Sequence, residues 1–372
     1  MPTPAYFPDH GDRWERCSPE QVGMDSDRLA DAVAFTEAHE TPMPRDLRRA
    51  IEDLTRQEGQ YGAIVGPVRS PRGGVNGLVL RHGYIVAEWG NTTRVDMTFS
   101  VSKSYLATLA GLALDRGLIR NLDDPVREYV DDGGFDPRHN NKITWRHLLQ
   151  LTSEWQGTLW GKPDSVDHNR VTGSDPVETS KGNPRQRREP GSYFEYNDVR
   201  VNRLSLALLR VWGRPLPEVF KESIMDSIDA SETWEWHGYE NSYVEIGGRR
   251  VQSVSGGGHW GGGVWVSSRD HARFGYLHLR RGRWRERQLV SEQWVETATT
   301  PSAVNPGYGC LWWLNTGRIA YPSAPASSYF ALGWGRNAIW VDPEHDLVAV
   351  VRWIDPTALD GFIARVLSAV TG

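Results

Sequence analysis

Phe99-Ser100-Val101-Ser102-Lys103-Ser104-Tyr105 runs on through Leu-Ala-Thr-Leu-Ala-Gly-Leu-Ala-Leu114 to Asp115-Arg116-Gly117. Alanine and leucine are good helix formers, and a helix that is apolar on nearly every face is a buried one. The polar Asp115-Arg116 and the glycine after them supply an end. The stretch therefore predicts a helix over 100–116 that crosses the middle of a domain, with Ser100 at its N-terminal end. Ser100 and Lys103 are three residues apart and share one face of that helix. A serine hydroxyl is a poor nucleophile until a base takes its proton. A lysine amine can do so when burial and the positive helix N-terminus favour its uncharged form. The same N-terminus favours an oxyanion beside Ser100. Ser-x-x-Lys arises by chance about once in a chain of this length. What singles this one out is its position at the mouth of an apolar helix, where a lysine is otherwise costly.

Around this stretch, 372 residues leave room for two domains, or for one large domain with an insertion. Hydrophobic residues make up 39% and charged residues 24% of the chain, as in a soluble globular protein. The net charge of -5 gives no general attraction to nucleic acid or anionic membranes. Two cysteines, Cys17 and Cys310, form no disulfide framework. The N-terminal residues lack the basic and apolar regions of a signal peptide, and no apolar run approaches the length of a membrane span. Those features point to the cytoplasm as the compartment.

Residues 1–20 read as an extended, Pro-rich arm. Helical spacing predicts helices over 24–40 and around 47–54. Val75–Leu80 and Tyr84–Trp89 flank a His82-Gly83 turn and read as a β-hairpin leading into the Ser100 helix. Helices are expected after Pro125, over 143–152 with Thr144 as cap, over 199–212 and over 216–228. Between them, 153–190 is polar and loop-like, and its basic run Lys181–Arg188 reads as a solvated loop. Gly256, Gly258 and Gly261 match the Gly-x-Gly-x-x-Gly spacing but open an extended Val264-Trp265-Val266 run. A dinucleotide site needs a helix at that point, so these glycines are expected to let backbone pass close to the site, with His259 as a pocket wall. Strand-like runs follow at 309–315, 328–333, 338–342 and 347–353, then a helix over 360–370. Strands at both ends and helices in the middle predict an α/β (α+β) fold. In it an antiparallel sheet flanked by helices is built from 21–117 and 255–372, and an α-helical domain, 118–254, is inserted.

Pro190-Gly191-Ser-Tyr193-Phe194-Glu-Tyr196-Asn197-Asp198 is a second notable stretch. A Pro-Gly turn before an apolar helix sets Tyr196 at a loop–helix junction, where a phenol held as phenolate by a nearby lysine ammonium could act as general base. Packing alone also accounts for such aromatics. Taken together, these pieces resemble the serine β-lactamase and penicillin-binding-protein superfamily, and within it the class C β-lactamase-like branch. Family VIII carboxylesterases, D-amino-acid peptidases and 6-aminohexanoate-dimer hydrolase belong to that branch. The resemblance rests on Ser100-Val-Ser-Lys103, on Tyr196-Asn197-Asp198 after its Pro-Gly turn, and on Gly261-Gly-Gly-Val-Trp-Val-Ser-Ser-Arg-Asp270. It covers residues 75–370.

The resemblance implies a β-lactamase/transpeptidase-like fold with the site between its two parts. It also implies acyl transfer to Ser100 and then to water, with Lys103 and Tyr196 sharing the base and acid roles. The backbone N–H groups of Ser100 and Trp334 would form the oxyanion hole. Asp198, Gly333, His259, Trp155 and Trp160 are the expected substrate contacts, and neither metal nor cofactor is required. Two departures stand out. Asp198 replaces the family's asparagine, so it could attract an ammonium-bearing substrate or simply pair with Lys103 or Arg200. Ala331-Leu332-Gly333 lacks the third motif's lysine, which weakens an antibiotic-hydrolase reading more than a serine-hydrolase reading. The expected substrate is a small ester or amide, with a D-amino-acid peptidase or β-lactamase-type activity as the alternative. A ligand sensor without catalysis is disfavoured because Ser100, Lys103 and Tyr196 are all present.

Overall fold

The computed structural model describes residues 5–11, 13–170 and 181–371. Two early helices, α1 (Ser26–Ala38) and α2 (Leu47–Thr55), start where Asp25 and Asp46 accept otherwise unpaired backbone N–H groups. Strands β1 (Asn76–Arg81) and β2 (Tyr84–Trp89) form the expected hairpin. Its turn residues His82 and Gly83 both have positive φ, as tight hairpin turns require. The described part of the N-terminal arm lies along β2. There Trp14 is buried and donates to the Gly83 carbonyl at 2.8 Å, and Tyr6 stacks on Tyr84.

A short strand, β3 (Asp96–Met97), precedes a 3₁₀ turn at Phe99–Val101, and helix α3 (Ser102–Asp115) follows. Every residue from Ser102 to Ala113 is buried, as the all-round apolar pattern requires. After Pro125 the chain makes only a 3₁₀ turn, Val126–Glu128, in place of the expected helix. Helix α4 (Trp145–Leu149) is capped by Thr144, and a small hairpin of β4 (Thr158–Leu159) and β5 (Lys162–Pro163) comes next. Helix α5 (Asp198–Trp212) begins at Asn197, whose side chain accepts the Arg200 N–H at 3.1 Å. Helix α6 (Leu216–Phe220) runs into a π-helical turn, Lys221–Met225.

The stretch 118–254, expected to be helical, also contains a long hairpin, β6 (Glu235–Ile246) and β7 (Arg249–Val254). Its strands are rich in Glu, Arg, Ser and Asn, so no apolar run announces them; Gly247 and Gly248, both at positive φ, make the turn. Strand β8 (Gly263–Val266) pairs with β6 and with β3, so one four-stranded sheet joins residues from both sides of position 255. Helix α7 (Ser268–Leu279), a minor hairpin of β9 (Arg283–Trp284) and β10 (Arg287–Gln288), and an unanticipated helix α8 (Glu292–Ala298) lead to the last strands. These are β11 (Trp313–Leu314), β12 (Tyr329–Gly333), β13 (Asn337–Asp342) and β14 (Leu347–Arg352), closed by helix α9 (Leu359–Ser368).

The main sheet is antiparallel with order β11-β12-β13-β14-β1-β2, so the strands near both ends of the chain meet at β14 and β1. Side chains alternate between its faces. Leu78, Leu80, Val348 and Val350 join the core that holds α3 and α7. Val79, Leu347, Ala349 and Val351 join the core that holds α1 and α9. Both faces are covered, which is why these strands read as continuous apolar runs.

Candidate active site

Ser100 lies in the 3₁₀ turn just before α3. The neighbouring Ser102 fastens the turn: its hydroxyl accepts the Val264 N–H at 2.9 Å and meets Thr98 Oγ1 at 3.2 Å. One turn along, Lys103 is almost wholly enclosed and its Nζ lies 2.9 Å from Ser100 Oγ. The same Nζ donates to Asp198 Oδ1 at 2.5 Å. Asp198 is the first residue of α5 and is 1% exposed. Its second oxygen pairs with Arg170, and its backbone N–H donates to Asp167 Oδ2 at 2.8 Å. Arg200 bonds elsewhere, to Glu154, Asp164 and the Trp155 carbonyl.

Behind this pair the charges continue. His259 Nδ1 lies 3.7 Å from Asp198 Oδ2, and its Nε2 meets Glu58 Oε1 at 2.6 Å. Glu58 also accepts from Trp260 Nε1 at 2.6 Å. Lys181 Nζ sits 2.5 Å from Glu58, 3.2 Å from Asp167 and 3.3 Å from His259 Nε2. Three carboxylates (Asp198, Asp167, Glu58) thus face three cations (Lys103, Arg170, Lys181), with His259 between them. Burial opposes ionisation of Asp198, but Lys103, Arg170 and His259 outweigh it and hold its carboxyl far below the usual range. Burial likewise opposes ionisation of Glu58, yet His259 and Lys181 bring it down to about 2. Burial, reinforced by Lys181, lowers His259 from its ordinary value, with Glu58 acting against them. Glu58, Asp167 and His259 place oxygen and nitrogen atoms within 4.8 Å of one another, the spacing of a metal-ligand set. The Lys181 ammonium stands among those atoms where a metal ion would have to sit, so the group reads as an ion-pair cluster. A cavity of about 250 Å³ opens beyond Glu58 and Lys181, lined also by Tyr61, Ser165 and Asn183.

The remaining expected residues fall in different places. Tyr196 presents its ring to this centre: Lys103 Nζ lies 4.6 Å from the ring centroid, Arg170 lies over the ring as well, and Trp313 stacks against it. Gly333 abuts the turn that carries Ser100, since a Cβ there would lie 2.1 Å from the Thr98 carbonyl oxygen. Trp334 follows it and meets the Phe99 ring edge-on at 5.2 Å. His259 belongs to the charge cluster. Trp155 is packed in the core beneath α5, with Nε1 donating to the Gly134 carbonyl at 2.8 Å. Trp160 sits at the β4–β5 turn, its carbonyl bonded to Asn241. Among the described residues, neither tryptophan makes a hydrogen bond or ring contact to Ser100 or Lys103. The glycine-rich loop does pass close to the site: a Cβ on Gly257 would lie 1.9 Å from Asp198 Oδ1 and 2.6 Å from Lys103 Nζ.

Glu58, Asp167, Arg170 and Lys181 were not anticipated. Glu58 and Asp167 lie in short 3₁₀ turns and Arg170 and Lys181 outside helices and strands, so no periodicity marks any of them as buried. The run 181–188 was expected to be solvated. Instead Lys181 is enclosed, and Arg185 binds Glu154 and Glu195.

A serine beside a buried lysine, at the foot of a covered helix and against the end of an antiparallel sheet, can support acyl transfer. A protein-family model described as Beta-lactamase matches residues 48–353. The chain belongs to the beta-lactamase family. The 6-aminohexanoate-dimer hydrolase of Paenarthrobacter ureafaciens is 24% identical over 306 residues, covering 75% of this chain and 72% of the relative. Among solved structures, a putative beta-lactamase from Bacteroides dorei superposes with a TM-score of 0.58 at 16% identity, covering 79% of this chain and 93% of that one. EstCE1, described as a hydrolase with promiscuous acyltransferase activity, gives 0.54 at 18% identity, covering 93% and 99%. These structural likenesses show the beta-lactamase fold, and family members of this kind are hydrolases. Among the described residues, no helix is long and apolar enough to cross a membrane.

Proposed function

We propose that this protein is a serine hydrolase that forms an acyl-enzyme on Ser100 and cleaves a small ester or amide. The observation that carries the reading is the 2.9 Å contact between Lys103 Nζ and Ser100 Oγ, made by a lysine enclosed in the core. A buried lysine is costly, and here it is aimed at a hydroxyl. In the reaction Ser100 Oγ attacks the carbonyl carbon, and its proton passes to Lys103 in its amine form, or to Tyr196 acting as a phenolate. The tetrahedral oxyanion is met by the Ser100 and Trp334 N–H groups, and the proton returns to the leaving alcohol or amine. Water then repeats the sequence on the acyl-enzyme. The ester and amide classes draw support from the names of the relatives, EstCE1 as a hydrolase and acyltransferase and the Paenarthrobacter protein as a dimer hydrolase. The absence of a lysine at Ala331 favours these over carboxylate-bearing lactams.

A fluorophosphonate probe tests the reading, with p-nitrophenyl esters, aminoacyl p-nitroanilides and nitrocefin as substrates. Labelling at Ser100 is expected, and Ser100→Ala should lose both the label and at least about 10³-fold in turnover. A protein that stays unlabelled and turns over none of these substrates would return the reading to a ligand sensor.

A further inference from the structure

We infer that Arg352 and Asn337 are positioning residues that fix the two halves of the oxyanion hole relative to each other. The inference rests on the acyl-enzyme reading above. The two N–H groups concerned arrive on separate parts of the fold. Ser100 follows β3, a two-residue strand of the smaller sheet paired only to β8. Trp334 lies on the turn between β12 and β13, in the main sheet.

Arg352, the last residue of β14, is 1% exposed and reaches across the gap. Its Nη2 donates to the Met97 carbonyl at 2.7 Å, three residues before Ser100. Its Nη1 donates to the Val266 carbonyl, at the end of β8, at 2.6 Å. Its Nε donates to Asn337 Oδ1 at 2.7 Å. Asn337 is fully buried, and its Nδ2 donates to the Trp334 carbonyl at 2.8 Å. One guanidinium and one amide therefore link the strand that feeds the nucleophile to the turn that carries the second N–H. Gly333 completes the junction, because any side chain there would collide with the Thr98 carbonyl.

A guanidinium so deeply buried is expensive to keep. Burial pushes Arg352 down to about 10 against the pull of Asp96. Asp96 itself is engaged by Arg94, the Gly73 N–H and Trp353 Nε1. A leucine would fill the space at lower cost, but it could not hold three acceptors on three segments. Oxyanion donors act only when both stand about 2.7–3.1 Å from the developing charge, and sites tolerate errors of only about 0.5 Å. Releasing the Trp334 turn should weaken one donor without removing it. The loss should then be smaller than the roughly 10²–10³-fold that follows deletion of a donor.

The test uses Asn337→Ala and Arg352→Lys in the full chain, with a neutral p-nitrophenyl ester as substrate and phenylboronic acid as ligand. The boronate's tetrahedral adduct on Ser100 sets an oxygen where the oxyanion would stand. Expected for each folded variant is a fall in kcat of about 10- to 100-fold, with KM within about threefold. Boronate affinity should drop by the same factor, and the pH limbs should stay in place because the Lys103 cluster is untouched. A folded Asn337→Ala protein with wild-type kcat and boronate affinity would overturn the inference. So would a loss confined to thermal stability, or failure of both variants to fold. Should the unmodified protein show neither turnover nor a Ser100 label, the acyl-enzyme reading itself fails, an outcome distinct from these.

Discussion

Replacing Asp198 by asparagine keeps the shape of the site and removes one charge. The asparagine oxygen can still accept from Lys103, but the buried cluster is left with an unmatched positive charge. With about 4 Å between charge centres and an effective dielectric constant near 20, Coulomb's law gives about 4 kcal/mol for the lost attraction. Removing one partner of a buried ion pair costs about 3–5 kcal/mol, so Asp198→Asn should lose about that much folding stability near neutral pH. Lys103, Arg170 and His259 hold the Asp198 carboxyl far below its usual range. Its charge therefore stabilises the folded chain at every pH above the ordinary carboxylate value, and that contribution fades only as pH falls below it. The measurement is urea unfolding of both proteins from pH 3 to 9, with the rate of fluorophosphonate labelling at Ser100 as an independent reading. The asparagine variant should be less stable by a steady margin from pH 5 to 9, draw closer to the wild type in stronger acid, and label at least about tenfold more slowly because Lys103 loses its charged anchor. Equal stability at pH 7 together with an unchanged labelling rate would refute the claim that Asp198 holds the lysine in place.

Two further outcomes follow from the same cluster. Gly257→Ala should lose at least about tenfold in kcat/KM and melt earlier, because its Cβ would sit 1.9 Å from Asp198 Oδ1 and overpacking of a filled site costs about 1–3 kcal/mol; activity and melting temperature equal to the wild type would show that the loop yields freely. Glu58 is held at about 2 from an ordinary 4.5, so its charge stabilises the folded chain above pH 4.5, and that contribution disappears as pH falls from 4.5 to 2, by on the order of 3 kcal/mol. Urea melts of Glu58→Gln should be less stable than wild type at pH 6 and should converge on it near pH 2; a difference independent of pH would exclude the ion-pair role.

How much of this could be read from the chain depends on whether the signal is local. Ser100 and Lys103 stand three apart on a helix whose apolar pattern marks it as buried, so their pairing is legible in seven residues. The β1–β2 hairpin, the apolar body of α5, and the two-sided apolar strands of the main sheet are legible for the same reason. The β6–β7 hairpin is not, because its strands carry charged and polar residues and only its glycine turn stands out. Helix α8 is short, and the chain after Pro125 needs only one tight turn to return to the core. Around the site, the partners of Asp198 and His259 come from positions 58, 167, 170 and 181, in segments without a repeat. Nothing in the local sequence of Lys181 separates a buried ammonium from a solvated one. Trp155 and Trp160 were drawn toward the site by composition, while packing gives them other neighbours.

The aspartate at 198 is where the local and the distant combine. Read beside Tyr196 alone, it looks like a negative charge facing the substrate, able to draw an ammonium. In the fold it is enclosed, with one oxygen on Lys103 and the other on Arg170. A carboxylate in place of an amide adds a buried negative charge that must be matched. Arg170 matches it directly, while Lys181 offsets Glu58 and Asp167 just behind. The charges therefore serve one another, while the Tyr196 ring faces Lys103 with Trp313 stacked on it, and Phe99, beside Ser100, meets Trp334 edge-on. An amine-bearing ester gains nothing from a carboxylate already held by two cations, and a carboxylate-bearing one meets no lysine at position 331. On the proposed acyl-enzyme reading such a site would select by shape and apolar contact, and the ammonium preference suggested by the sequence motif does not follow from the folded protein.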